Sequence, residues 1–302
     1  MRALLVDPSA KSGLRLGDTA DPTPAPNQAL VEVKTISLNY GEVSGGYGAE
    51  EGKVQGWDAA GVVVKAAADG SGPAVGSRVV TFDFLGGAWA QLRAVDTTEL
   101  AVLPDGVDFD RAAALPVAAV TALRALRRFG SVLGRRILVT GAAGGVGRFA
   151  VQLAAQSGAH VIASVGGAGR GDGLKELGAA EVIVGVEGLT GPLHGVLDNV
   201  GGPNQVAAFG LLDVGGSIQS IGATSGEPAV YPPYSTVGPQ RRLEAFMMGS
   251  GLGEDLAFLT SLVAAGKLDV EIGYRGSWEN SEDAIAALLG RKVVGKAVLD
   301  VS

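Results

Sequence analysis

Val139-Thr-Gly-Ala-Ala-Gly-Gly-Val-Gly-Arg-Phe-Ala150 decides the fold. The apolar, β-branched run Arg136-Ile-Leu-Val-Thr140 reads as a strand, and the residues from about Val146 onward read as a helix. Between them lies a glycine turn. Set against the G-x-G-x-x-G spacing, Ala142, Gly144 and Gly147 take the three glycine positions. A glycine at Gly144 lets backbone approach a pyrophosphate, and one at Gly147 lets the helix pack closely on the strand. The N–H groups around Gly145 and Val146 then face the diphosphate at the positive end of the helix. Dinucleotide binding is the expectation. The rivals are a tight turn in a ligand-free α/β domain and a Rossmann-like methyltransferase.

Outward from this turn, strands and helices alternate. Strands are expected at His160–Ser164, Glu181–Val184, Gly195–Asp198 and Ser217–Ile221. Helices are expected at Gly147–Ser157, Gly173–Gly178, Asn204–Leu212 and Glu254–Ala265. That alternation implies a doubly wound parallel sheet covered on both faces. Residues 1–110 differ. Ala29-Leu-Val-Glu-Val-Lys-Thr35 alternates apolar and polar, and short strands at Ala59–Val64 and Arg78–Phe82 are separated by glycine-rich turns. Arg111–Arg128 is helical, with Pro116 as a kink or a break. The tail from Asp269 returns to strand, helix, strand and folds back on the N-terminal part. The expected domains are 1–115, completed by 266–302, and 116–265. The fold class is α/β: a Rossmann sheet plus a β-rich domain.

The second strand of the parallel sheet addresses the choice of dinucleotide. An NAD site places an acidic residue about 20 positions past the glycines, on the ribose 2′-hydroxyl. Here the strand runs on into Ala163-Ser-Val-Gly-Gly-Ala-Gly-Arg170, with no Asp or Glu before Asp172. Arg170 suits bidentate pairing with a 2′-phosphate, and the Ser164 hydroxyl is a second donor. NADPH is therefore expected ahead of NADH.

Composition excludes other classes. The net charge of −7 comes from 31 acidic against 24 basic residues, and basic runs do not exceed two, which argues against nucleic-acid binding. Met1–Val6 is too short an apolar run for a signal peptide. The apolar stretch at 112–123, interrupted by Pro116 and Thr121, falls short of the ~18 residues of a membrane span. A soluble, cytoplasmic protein is expected. With no cysteine and only His160 and His194, Cys-ligated zinc is impossible, and neither histidine lies in a setting that suits a Ser-His-Asp hydrolase.

Several stretches together resemble the zinc-independent quinone oxidoreductases, the zeta-crystallin-like branch of the medium-chain dehydrogenase/reductase superfamily. They are Ser37-Leu-Asn-Tyr, Gly56-Trp-Asp-Ala-Ala-Gly-Val-Val, Val75-Gly-Ser-Arg-Val-Val, Gly87-Ala-Trp-Ala-Gln, Leu103-Pro-Asp-Gly, Ala113-Ala-Leu-Pro-Val-Ala-Ala-Val-Thr-Ala, the glycine turn, Leu197-Asp-Asn-Val-Gly-Gly and Val294-Gly-Lys-Ala-Val-Leu. The resemblance implies a GroES-like catalytic domain beside the Rossmann domain. Where zinc-dependent relatives carry Gly-His-Glu, this chain has Gly56-Trp57-Asp58, so no metal is expected. The resemblance places Asn39 and Thr121 beside the nicotinamide, Tyr47 in the substrate pocket, Arg170 and Arg291 at the 2′-phosphate, and Asn199 and Ile221 along the cofactor. Asn39 and Tyr47 are then the candidate donors to a substrate carbonyl. It implies NADPH-dependent reduction of a quinone or an activated alkene, in a homodimer paired through Leu243-Glu-Ala-Phe-Met-Met-Gly-Ser250. The alternative is a non-enzymatic NADPH-binding sensor or structural protein.

Overall fold

The computed structural model describes residues 1–44 and 50–301, which form two compact units: Met1–Val120 with Gly249–Ser302, and Thr121–Met248.

The first unit is built around one long strand. Its strands are β1 (Arg2–Val6), β2 (Leu14–Asp18), β3 (Gln28–Leu38), β4 (Asp58–Lys65), β5 (Arg78–Phe82), β6 (Leu92–Asp96) and β7 (Leu100–Val102). The short helix α1 (Tyr40–Val43) follows β3, and α2 (Phe109–Ala113) and the start of α3 (Pro116–Arg127) close this part of the chain. Pro116 therefore separates two helices: it opens α3 at N1, where its missing N–H costs nothing. β3 alternates buried and half-buried residues and then becomes buried from Thr35 on. One edge of β3 pairs with β4. The other edge pairs first with β6 and, nearer its end, with β15 (Lys296–Asp300). β14 (Ile272–Ser277) adds to β15, and α7 (Ser281–Leu289) lies between them in sequence. The tail thus adds two strands to the N-terminal sheet. Trp89 and Trp278 are fully enclosed in its core with Ile36, Leu38 and Leu299. α6 (Gly253–Ala264), expected with the second domain, packs on β7 of this unit, and Glu99 accepts from Leu252 N at 3.1 Å ahead of it.

The second unit holds a six-stranded parallel sheet. Its strands are β8 (Arg136–Thr140), β9 (His160–Val165), β10 (Glu181–Val184), β11 (Leu193–Asp198), β12 (Leu212–Ser220) and β13 (Arg242–Ala245), in the order β10-β9-β8-β11-β12-β13. In chain order that is 3-2-1-4-5-6, the doubly wound dinucleotide topology, whose strand order reverses between β8 and β11. α4 (Gly145–Gln156) and α5 (Gly202–Gly210) are its crossover helices. The helix expected at Gly173–Gly178 is instead a run of turns. Both bounding glycines have positive φ, +75° and +105°, and the four residues between them cannot repay helix nucleation. Among the described residues no helix is long and apolar enough to cross a membrane.

Candidate active site

The glycine turn sits where β8 ends and α4 begins. Gly144 is the N-cap of α4 and offers no side chain, so the first helical bond runs from Arg148 N to Gly144 O. The N–H groups of Gly145, Val146 and Gly147 precede any intrahelical acceptor. Gly144, Gly145 and Val146 are partly exposed, whereas Ala142 and Gly147 are buried. A Cβ at Gly147 would lie 2.4 Å from Gly141 O and 2.6 Å from Ala142 Cα, so the helix closes onto the strand only with glycine here. A Cβ at Gly144 would meet Gly141 O at 3.3 Å and nothing nearer, so glycine there keeps the outer face of the turn open.

The neighbouring strand ends brace this turn. Asp198, fully buried at the end of β11, accepts from Thr140 Oγ1 at 2.6 Å and from Gln205 Nε2 at 2.9 Å. Asn199 donates through Nδ2 to Thr140 O at 2.8 Å, tying the ends of β8 and β11 together, and Ile221 N donates to Asp198 O at 2.8 Å. Asn199 and Ile221 thus flank the switch point. Thr121, buried, directs its hydroxyl to Met248 Sδ at 3.4 Å. Arg170 is half-buried at the end of a 3₁₀ turn beyond β9. Ser164 differs from expectation. It is buried, and its one hydroxyl hydrogen goes to Gly185 O at 2.7 Å, so in this arrangement it has no proton for a phosphate.

A second constellation lies in the first unit. Three adjacent strands place Asn39 just past the end of β3, Asp58 at the start of β4 opposite Ser37, and Lys296 at the start of β15 beside Leu38. Lys296 Nζ donates to Asn39 Oδ1 at 2.6 Å and to Leu38 O at 3.2 Å, and lies 3.6 Å from Asp58 Oδ2. Asn39 Nδ2 donates to Asp58 Oδ2 at 2.8 Å and to Glu42 Oε2 at 2.9 Å. Asp58 Oδ1 accepts from Val117 N at 3.1 Å, at the positive end of α3. Glu42 Oε2 also accepts from Asn39 N at 2.8 Å, and Glu42 Oε1 from Trp57 N at 2.6 Å. Asp58 and Lys296 are enclosed, while Glu42 keeps some exposure.

Burial governs the protonation of this cluster. It pushes Asp58 up and Lys296 down from their ordinary values, each opposed by the other's charge. Burial, with the Asp58 charge added, pushes Glu42 up to about 8. Arg93, on β6 and 2% exposed, donates to Trp57 O at 2.9 Å and Thr81 Oγ1 at 2.8 Å, and burial pulls it down to about 10.

Asn39, expected as a donor to a substrate carbonyl, has both its amide hydrogens committed to carboxylates. Tyr47 lies outside the described residues. Arg291 is exposed on the turn before β15, with φ +56°. Sequence reasoning passed over Lys296; its signal was a lone cation opening the apolar run Ala297-Val-Leu299. Glu42, on the short helix α1, is a member of the same cluster. Zinc does not fit. Asp58 already has an ammonium beside it and two N–H donors on its oxygens, Trp57 stands where a ligand would be needed, and the chain has no cysteine.

Comparisons with known proteins identify the family. The alcohol dehydrogenase GroES-like domain matches residues 25–105, and the zinc-binding dehydrogenase family matches residues 145–265. A chloroplast envelope quinone oxidoreductase homolog of Arabidopsis thaliana is 31% identical over 319 residues, covering 96% of this chain and 94% of its own. The chain belongs to the medium-chain dehydrogenase/reductase superfamily, in its zinc-independent quinone oxidoreductase branch. Among solved structures, the quinone oxidoreductase of Coxiella burnetii is 26% identical with a TM-score of 0.87, covering 100% of this chain and 99% of its own. A mycobacterial protein solved with NADPH is 27% identical with a TM-score of 0.88, covering 100% of both chains. Other curated relatives are far longer: the chain spans 6% of the fungal polyketide synthases it matches, such as the 35% identity over 149 residues to a highly reducing synthase of Cryptosporiopsis.

Proposed function

We propose that this protein is an NADPH-dependent, metal-independent reductase of quinones or activated alkenes. The observation that carries the reading is the uncapped α4 N-terminus at the switch point of a 3-2-1-4-5-6 sheet, with Arg170 rather than an acid beyond the second strand. NADPH fits these residues: the N–H groups of Gly145, Val146 and Gly147 take the diphosphate, Arg170 the 2′-phosphate, with Arg291 as the second cation the family pattern supplies. When bound, the cofactor supplies a hydride to an electron-poor carbon or carbonyl. The protein's share is to bind, orient and stabilise the negative oxygen that reduction creates. Thr121, Asn199 and Ile221 line the cofactor in this reading, and Asn39 and Tyr47 belong to the substrate end.

A homodimer paired through β13 accompanies the reading. β13 is an edge strand hydrogen-bonded only to β12 among the described residues, and Leu243 on it is 45% exposed. A cytoplasmic setting suits a composition without cysteine.

The test follows NADPH absorbance with 9,10-phenanthrenequinone and with a simple enone, alongside calorimetric titration of NADPH and NADH. Turnover with tighter NADPH binding is expected. Tight binding without turnover on either acceptor class refutes the enzymatic reading and leaves a binding protein.

A further inference from the structure

In a doubly wound sheet one half takes the adenosine end of a dinucleotide and the other half takes the nicotinamide end, across the crevice where the strand order reverses. Here the crevice lies between β8 and β11, and the ladder opens there. β8 stays paired with β9 as far as Thr140 and Ser164, and β11 with β12 as far as Asp198 and Ser220. Between β8 and β11 the pairing stops one residue earlier, at Val139 and Leu197. Beyond that pair the two strands are held through side chains.

Thr140 and Asp198 do the holding, and both are fully buried. The Thr140 hydroxyl is used twice: it donates to Asp198 Oδ1 at 2.6 Å and accepts from Asn199 N at 3.0 Å. Asn199 Nδ2 adds a bond to Thr140 O at 2.8 Å. Asp198 also governs two further turns. Its carboxylate accepts from Val200 N and Gly201 N at 3.2 Å and from Gln205 Nε2 at 2.9 Å, which fixes the turn into α5. Gln205 is itself oriented by Tyr231, whose hydroxyl donates to Gln205 Oε1 at 3.2 Å. The Asp198 main-chain oxygen accepts from Ile221 N at 2.8 Å and Gly222 N at 3.0 Å, which holds the turn after β12. These turns are packed as well as bonded. A Cβ at Gly141 would lie 3.3 Å from Asn199 Cβ and Val200 Cγ2, and one at Gly222 would lie 2.9 Å from Asn199 O. Four donors on an enclosed carboxylate leave it one orientation, so the three turns that meet at Asp198 share one geometry.

We propose that Asp198 and Thr140 are positioning residues for the cofactor: their bond sets the turn after β11, on the nicotinamide half, at a fixed distance from the diphosphate turn after β8. The proposal rests on the NADPH reading above. With no exposed surface, neither side chain touches a bound cofactor. They act through Asn199, whose main-chain and side-chain N–H groups are both fixed by Thr140, and through Ile221, whose N–H is fixed by Asp198. The adenosine half does not depend on this clamp, because the α4 N-terminus and Arg170 lie on the β8 and β9 side. A split in affinity follows. NADPH spans both halves and needs the clamp, whereas adenosine 2′,5′-bisphosphate occupies the first half alone and does not.

Calorimetric titration of the full chain with NADPH and with adenosine 2′,5′-bisphosphate tests this, with thermal melts of each variant alongside. Thr140→Val removes the hydroxyl with little change of shape. It is expected to weaken NADPH about tenfold, the worth of one hydrogen bond to a charged group, and to leave adenosine 2′,5′-bisphosphate within about twofold. Thr140→Ser keeps the hydroxyl and is expected to bind both ligands as the wild type does. Asp198→Asn turns an amide N–H toward other donors and is expected to widen the split; if that variant does not fold, Thr140→Val decides. A wild-type NADPH Kd in Thr140→Val, whatever its melting temperature, leaves the pair a structural role alone and overturns the proposal. Parallel weakening of both ligands also overturns it, because the pair then serves the diphosphate turn, as does a Thr140→Ser protein as weak as Thr140→Val. In each of these cases tight wild-type binding leaves the cofactor reading intact. A wild type that binds neither ligand takes both away.

Discussion

Removing the Lys296 ammonium is the sharpest probe of the buried cluster. Lys296 Nζ lies 3.6 Å from Asp58 Oδ2, which at an effective dielectric of about 20 is an attraction of about 5 kcal/mol. Most of that offsets the desolvation of two enclosed charges, so the net worth of the pair is small while the cost of breaking it is large. Lys296→Met therefore leaves Asp58 and Glu42 without their cation and is expected to cost about 3–5 kcal/mol. At about 2–4 °C per kcal/mol, Tm falls by roughly 6–20 °C. The deficit depends on pH with a definite sign. Without the cation the folded-state pKa values of both carboxyls rise further, and a carboxyl whose folded pKa is raised contributes stability that is present at low pH and lost as pH rises through that value. The variant's shortfall therefore deepens from acid toward and beyond pH 8. The double variant Lys296→Met with Asp58→Asn removes both charges, and it is expected to be more stable than the sum of the two single losses by about 1–3 kcal/mol. Denaturant unfolding of all four proteins, at one acid and one alkaline pH, closes the cycle. Strictly additive losses, or a Lys296→Met deficit that shrinks as pH rises, would refute the coupling.

The glycine turn separates fold from binding. Gly147→Ala drives a Cβ to 2.4 Å from Gly141 O and is expected to cost about 1–3 kcal/mol of stability in denaturant melts. Gly144→Ala, with φ −80° and its nearest contact at 3.3 Å, is expected to keep stability and weaken NADPH by about tenfold or more in calorimetry; unchanged affinity would show that the diphosphate does not approach there. Arg170→Glu is expected to weaken NADPH roughly 10–100-fold and leave NADH nearly unaffected; a wild type that binds NADH better reverses the cofactor assignment. Leu243→Lys on the exposed edge of β13 is expected to convert a dimer to monomers by light scattering, and a wild type already monomeric at micromolar concentration removes that interface.

The parallel sheet was legible because its signals are contiguous. Arg136–Thr140 is apolar and β-branched, Gly144 and Gly147 follow at fixed spacing, and each later strand is again a short apolar run between breakers. Where such a signal was thin, as at Gly173–Gly178, two left-handed glycines turned an expected helix into turns. Asn39 and Asp58 also drew attention from the sequence, one as a donor candidate and one within the stretch where zinc-dependent relatives carry Gly-His-Glu. What those residues do was decided elsewhere. Asn39, Asp58 and Lys296 are separated by up to 257 residues and meet only because β15, β3 and β4 are neighbours in register. Hydrogen-bond saturation is a property of that meeting. It commits the Asn39 hydrogens to two carboxylates and gives the Ser164 hydrogen to Gly185 O. Periodicity along a chain reports which face a residue takes. Whether its polar atoms are already engaged depends on strands that sequence order does not bring together.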